Sequence, residues 1–346
     1  MRRLILFTML FACLVMPVNA LEITAPEAPE TAQFFLEGRP DNFSDGLLSI
    51  LRQALPVIAP AFSESVQICA GMVGICLLLS LVGNLSGKTA DILNLCSALS
   101  IGTVMLRASK SLVTLGVDTV EQISEYGKLL LPVLTAALTA EGGITASSAM
   151  YAGTAFFNAV LSAAITKLII PLIYSYLCLS ISACATETHI LQKMKDIVKW
   201  AMTWILKIIL YIFTGYIGIS GVVTGSTDAM ALKATKLTIS GVVPVVGSIL
   251  ADASEAVLVS AGVVKNAAGV YGVLVILALG IGPFIQIGSQ YLMLKATEAL
   301  CAMFSSKNVT GIISDFGTVL GMLAAMTMTV CLMQLISIVC FMRGIG

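Results

Sequence analysis

Two lysines, Lys167 and Lys207, stand well inside long apolar runs of this chain. A charge at membrane depth costs about 2.5 kcal/mol or more on insertion scales, so it normally faces a partner or a wet cavity. Lys167 has more apolar sequence on both sides and is the stronger pathway residue. Lys207 lies closer to a basic stretch, near enough for its stem to carry the amine to the interface. Gln286, with Gln290 and Gln334, can hydrogen-bond between helices, a structural role by default. Two short proline-containing pieces complete the set. Leu129 to Ala140 holds Pro132 and Val133 and stops at Glu141, Gly142 and Gly143. Leu237 to Leu250 holds Pro244, Val245 and Gly247 and is closed by Asp252 and Glu255. About twelve apolar residues are too few to cross a bilayer, yet too apolar for open water. Each piece reads as a re-entrant hairpin, which a membrane tolerates only where irregular backbone is buried in protein or lines a cavity. Proline removes a backbone donor and glycine permits an open turn, so the second piece is the sharper one. An amphipathic surface helix packed on the bundle is the competing reading. The chemistry these residues fit is passage of an ion or solute along a polar path.

Bond-making chemistry has little to stand on. No HExxH, GxSxG or Walker sequence is present, and the single histidine, His189, sits beside Glu187 in a basic loop. A serine–lysine dyad can be drawn wherever serine is common, so intramembrane hydrolysis carries little weight. Cys69, Cys76, Cys96, Cys178, Cys184, Cys301, Cys331 and Cys340 lie in or beside apolar helices with no CxxC pair. They read as small buried hydrophobes. The chain is therefore expected to be no enzyme and to use no metal and no cofactor. Asn308-Val309-Thr310 matches a glycosylation sequon but falls on the inner side of the topology below.

The elements around these residues follow from composition. Of 346 residues, 58% are apolar and 11% charged, against about a quarter charged in soluble domains. This is an all-α integral membrane protein, with the lipid bilayer as its first partner. A formal net charge of zero gives no reason to expect a nucleic-acid partner. Residues 1–20 read as a secretory signal peptide. Arg2 and Arg3 precede the apolar run Leu4 to Val15, and Val18-Asn19-Ala20 fits a cleavage site. An uncleaved anchor is the alternative. Cleavage leaves the mature amino terminus extracytoplasmic. Residues 21–60 form an acidic extracytoplasmic tail and an amphipathic surface helix, Leu47 to Ile58. Residues 61–346 are the polytopic membrane domain, with spans near 65–82, 92–106, 201–223, 267–291 and 318–341 and, after Thr145 to Phe157, a long apolar run that reaches Ser182 with Pro171 inside it.

Part of this domain looks written twice. Pro132 and Pro171 are echoed by Pro244 and Pro283, each 112 positions on, and Ala185-Thr186-Glu187 by Ala296-Thr297-Glu298. The units cover about 92–187 and 204–298. Loop charge orients them: Lys88, the group Lys193, Lys195 and Lys199, and Lys307 fall on one side, which the positive-inside rule makes cytoplasmic. Six transmembrane helices result, or eight if the short pieces cross fully. Each unit enters and leaves on one side, so the repeats are parallel.

The second unit carries a more specific pattern. Leu232-Lys233-Ala234-Thr235-Lys236-Leu237, Val242-Val243-Pro244-Val245-Val246-Gly247, Ala253-Ser254-Glu255-Ala256-Val257 and Val264-Lys265-Asn266-Ala267-Ala268-Gly269-Val270 occur in order. Together they resemble the stage III sporulation protein AE family of endospore-forming bacteria. The resemblance is specific over about residues 225–275 and architectural elsewhere, and the tail here is shorter than is usual for the family. It implies a non-enzymatic, multi-pass subunit of the channel complex joining mother cell and forespore, in the mother-cell membrane around the forespore. Implied partners are other membrane proteins of that complex and an ATPase subunit, and a homo-oligomer is compatible with it. A stand-alone secondary transporter is the alternative that the repeats alone favour, and a recruiting scaffold comes third.

Overall fold

The structure, a computed structural model, describes residues 25–36, 38–40, 42–85, 90–186, 189–242 and 247–343, with side chains at 83–94, 218, 220–262 and 264 outside the description. All its regular elements are helices. A short α1 (Glu30–Gln33) is followed by seven long ones: α2 (Phe43–Leu85), α3 (Ala90–Ala140), α4 (Ile144–Ala164), α5 (Ile170–Thr186), α6 (His189–Val242), α7 (Gly247–Cys301) and α8 (Lys307–Arg343). A π-helical turn, Ile165–Ile169, joins α4 to α5. Among the described residues, five stretches are long and apolar enough to cross a membrane: Phe43–Val82, Ile144–Thr186, His189–Ile217, Lys265–Cys301 and Lys307–Arg343. The remaining expected span, 92–106, falls at the start of α3, partly outside the described side chains.

Two expected boundaries dissolve. The surface piece Leu47 to Ile58 is continuous with the first span, because α2 runs unbroken through Pro56 and Pro60. Likewise Leu129 to Ala140 is the end of the 51-residue α3, which passes through Pro132. A proline removes one helical hydrogen bond, but apolar residues on both sides still bury a common face when the helix continues. Leu130, Leu131, Leu134 and Leu138 are all buried. The chain reverses only at Glu141–Gly143. There Gly142 has φ +95°, its N–H donates to Thr139 O at 2.9 Å, and Gly143 N–H donates to Leu138 O at 3.0 Å. This is the helix-ending pattern that needs a left-handed residue, which glycine adopts without strain. In the second unit Pro244 and Val245 lie outside the described residues, while the backbone of Gly247, Asp252 and Glu255 belongs to α7.

The echoed prolines behave differently where both can be compared. Pro171 cannot donate to the carbonyl of Lys167, and the helix widens there into the π turn. Pro283 sits inside an uninterrupted α7.

Packing places α2, α3, α7 and α8 together as the central group, with α4 and α5 against α3 and α6 against α4, α5 and α8. Met342 lies against Gly269 and Cys331 against Gly280, so α7 and α8 run antiparallel. Ser65 Oγ and Ser289 Oγ lie 3.3 Å apart, and Ser80 Oγ donates to Phe304 O at 2.9 Å, so α2 and α7 run parallel. Helices from the two echoed units are thus interleaved, α3 of the first against α7 of the second. Close approach of α4 and α6 depends on Gly153, where a Cβ would stand 1.8 Å from the Tyr216 ring. Tyr216 Oη is itself anchored by donating to Ala149 O at 3.0 Å. Gly153→Ala is expected to cost about 1–3 kcal/mol through overpacking, read as a lower unfolding midpoint in detergent. Adding Tyr216→Leu should recover part of it, and an unchanged midpoint in Gly153→Ala would refute the tight crossing.

Candidate functional site

Polar groups gather at three levels of the bundle. The middle level is a cavity of about 90 Å³ between α2, α3 and α7, with Glu64, Ser65, Ser111, Gln286 and Gln290 among its lining. Its walls come from helices whose other faces pack apolar side chains. Ser65 Oγ donates to Ala61 O at 2.8 Å, and Ser289 Oγ to Gln286 O at 3.0 Å. Gln290 is 3% exposed, and its Nε2 is buried with no protein partner. An unsatisfied buried amide costs roughly 1–3 kcal/mol, a penalty that a bound water removes. The volume is ample for water, and a lining of one carboxylate, hydroxyls and amides suits water or a small hydrated ion. Glu64, at its mouth, is exposed.

One end of the bundle holds the glutamate of the turn. Glu141, which caps the first short piece, accepts a charge-assisted bond from Lys265 Nζ. The Lys265 side chain is only 5% exposed, so its charge depends on this one carboxylate. Thr139 Oγ1 and Ser147 Oγ, 2.7 Å apart, tie the two helices across the turn. Nearby, the Arg39 guanidinium lies 4.9 Å from the Tyr271 ring centroid, fastening the amino-terminal segment to α7.

The opposite end centres on Asp315 of α8. Its carboxylate accepts from Tyr176 Oη at 2.9 Å, from Ser180 Oγ and from Lys195 Nζ. Three donors from α5 and α6 converge on one half-buried acid, locking the outer helix pair onto α8.

Placement of the expected residues is therefore mixed. Gln286 reaches the cavity, and Glu141 joins an ion pair beside Gly142 and Gly143. Pro132 and Val133 lie on α3, exposed and half-buried. Lys167 and Lys207 are both exposed on the outside of the bundle and make no ion pair with a described residue. Glu64, Lys265 and Asp315 were not anticipated from the sequence. Two of them carry a legible signal: Asp315 is the sole acid of α8, and Glu64 the sole acid of α2 beyond Asp45. Lys195 reads as a loop charge until α8 is placed beside it. All eight described cysteines are free thiols, five of them buried. Among the described residues, no group of three His, Cys, Asp or Glu is placed to hold a metal ion.

Long apolar helices, ionic locks at both ends and a small polar chamber between them define a multi-span helical membrane protein. Residues 33–344 match the family described as Stage III sporulation protein AE, and the chain belongs to that family. It is 24% identical over 183 residues to Stage III sporulation protein AE of Bacillus subtilis (strain 168), a match covering 53% of this chain and 46% of that relative. No solved structure matches the chain. The match to the Bacillus subtilis protein spans less than half the length of that relative.

Proposed function

We propose that this chain is a non-enzymatic membrane subunit of the channel complex that links mother cell and forespore, residing in the mother-cell membrane with its mature amino terminus outside the cytoplasm. One observation carries the reading beyond family membership. Glu64, Lys167 and Lys207 lie within candidate spans yet face outward from the single chain. A lone chain in lipid would leave Lys167, deepest in its apolar run, against hydrocarbon at a cost of about 2.5 kcal/mol or more. Packing against other proteins of the assembly removes that cost. A solitary chain has no such covering. The parallel repeats and the re-entrant path around Pro244, Val245, Gly247, Asp252 and Glu255 belong to this proposal as the route's outer mouth.

The test is affinity purification of the full-length tagged chain from sporulating cells in mild detergent, followed by liposome assays on the chain alone. Other stage III membrane proteins and an ATPase subunit should co-purify, and the isolated chain should show no saturable solute flux. Recovery of a solitary chain that transports a solute saturably would overturn the reading in favour of an autonomous transporter.

A further inference from the structure

The outward charges match one another in depth. Glu64 and Lys167 both lie on the long apolar stretches Phe43–Val82 and Ile144–Thr186. The packing register agrees. Glu64 shares the cavity with Ala108, Ser111 and Leu112 of α3. On α3, Gly102 lies beside Ile181 and Ser124 Oγ donates to Asn158 Oδ1 at 3.1 Å, an antiparallel register. That register sets Ala108–Leu112 opposite roughly residues 171–175, one to two helical turns from Lys167 and within reach of two long side chains. The two residues also occupy different sides of the molecule, since α2 packs on α7 and α3 while the α4–α5 pair packs on α6 and α3. Glu64 opens outward from the cavity-lining stripe it shares with Ala61, Ser65 and Ile68, and Lys167 stands beside the exposed Leu168.

We propose that these faces bind each other between copies: Glu64 of one chain pairs with Lys167 of the next, in a head-to-tail association within the membrane plane. Copies inserted in the same orientation present both charges at the same depth, so the contact needs no inversion. Because the two faces differ, the interface is heterologous and propagates until a ring closes. Lys167 of the neighbour would then stand at the mouth of the Glu64 cavity and place that chamber at the boundary between copies. Its backbone sits in the π turn, whose widened helix projects the lysine from an otherwise regular face. The association rests on the subunit reading above but is separable from it.

The experiment counts copies of the full-length fluorescently tagged chain in liposomes by stepwise photobleaching at low protein density. The wild type should form higher oligomers. Glu64→Gln and Lys167→Gln should each fall to monomers, at least ten-fold poorer in oligomers. Mixing the two variants should give dimers and nothing larger, because each copy keeps one good face. Mixed dimers also show that both variants remain folded. The exchanged pair Glu64→Lys with Lys167→Glu should restore higher oligomers, while Lys207→Gln should leave the distribution unchanged. The proposal is overturned if the wild type is monomeric, if either single variant keeps the wild-type distribution, or if the mixture grows past dimers. A monomeric wild type that still co-purifies with stage III partners would remove self-association and leave the subunit reading standing.

Discussion

Glu141→Ala is expected to destabilise the folded chain by about 3–5 kcal/mol, the range seen when one partner of a buried ion pair is removed. Lys265 is the reason. Its side chain is 5% exposed and its charge is matched by Glu141, so truncating the acid strands an ammonium where water cannot follow. Attraction lost is only part of the effect; the larger part is desolvation left without compensation. The same reasoning predicts that Lys265→Met with Glu141→Leu restores most of the loss, since two apolar groups of similar volume leave nothing unpaired. Thermal unfolding in detergent of the wild type, Glu141→Leu, Lys265→Met and the double variant measures the coupling. A double variant as unstable as Glu141→Ala would show that the cost lies in the geometry of the turn.

Asp315→Ala is expected to cost a similar 3–5 kcal/mol and to act on a different part of the molecule. Lys195, Ser180 and Tyr176 all donate to this carboxylate. Its removal leaves a cation and two hydroxyls without their acceptor and frees the α5–α6 pair from α8. Lys195→Ala should cost less, because Asp315 keeps both hydroxyl donors. Asp315→Asn should fall between, retaining an acceptor oxygen but no charge. Limited proteolysis near residues 187 and 188, compared across the three variants, reports loosening of the α5–α6 pair directly. The order Asp315→Ala, then Asp315→Asn, then Lys195→Ala is the checkable content; a reversal would show that Lys195 is held chiefly by other contacts.

The long apolar helices were legible because periodicity and length are local properties. So was the charged reversal at Glu141–Gly143, since paired glycines after an acid mark a helix end. Pro132 misled for a physical reason. A proline lowers local helix stability, yet the buried leucines on both sides of it gain more by continuing one helix than by breaking it. Lys167 and Lys207 stand out in the sequence as charges in apolar runs, but which way they point depends on how α4, α5 and α6 pack on one another and on the central helices. Only packing decides that. Gln286 reached a polar chamber only because α2 and α7 run parallel with Ser65 beside Ser289.

By itself, the sequence determined that this is a helical membrane protein, where its helices run, and which family it resembles, because composition, apolar run length and short motifs survive without knowledge of neighbours. Tertiary structure decided the partners: Lys265 with Glu141, Lys195 with Asp315, and Glu64 with the two glutamines around one chamber. Those pairings join residues more than a hundred positions apart. Nothing in local propensity encodes them; they follow from the register in which the helices bury their apolar faces, and the polar groups meet wherever that register brings them.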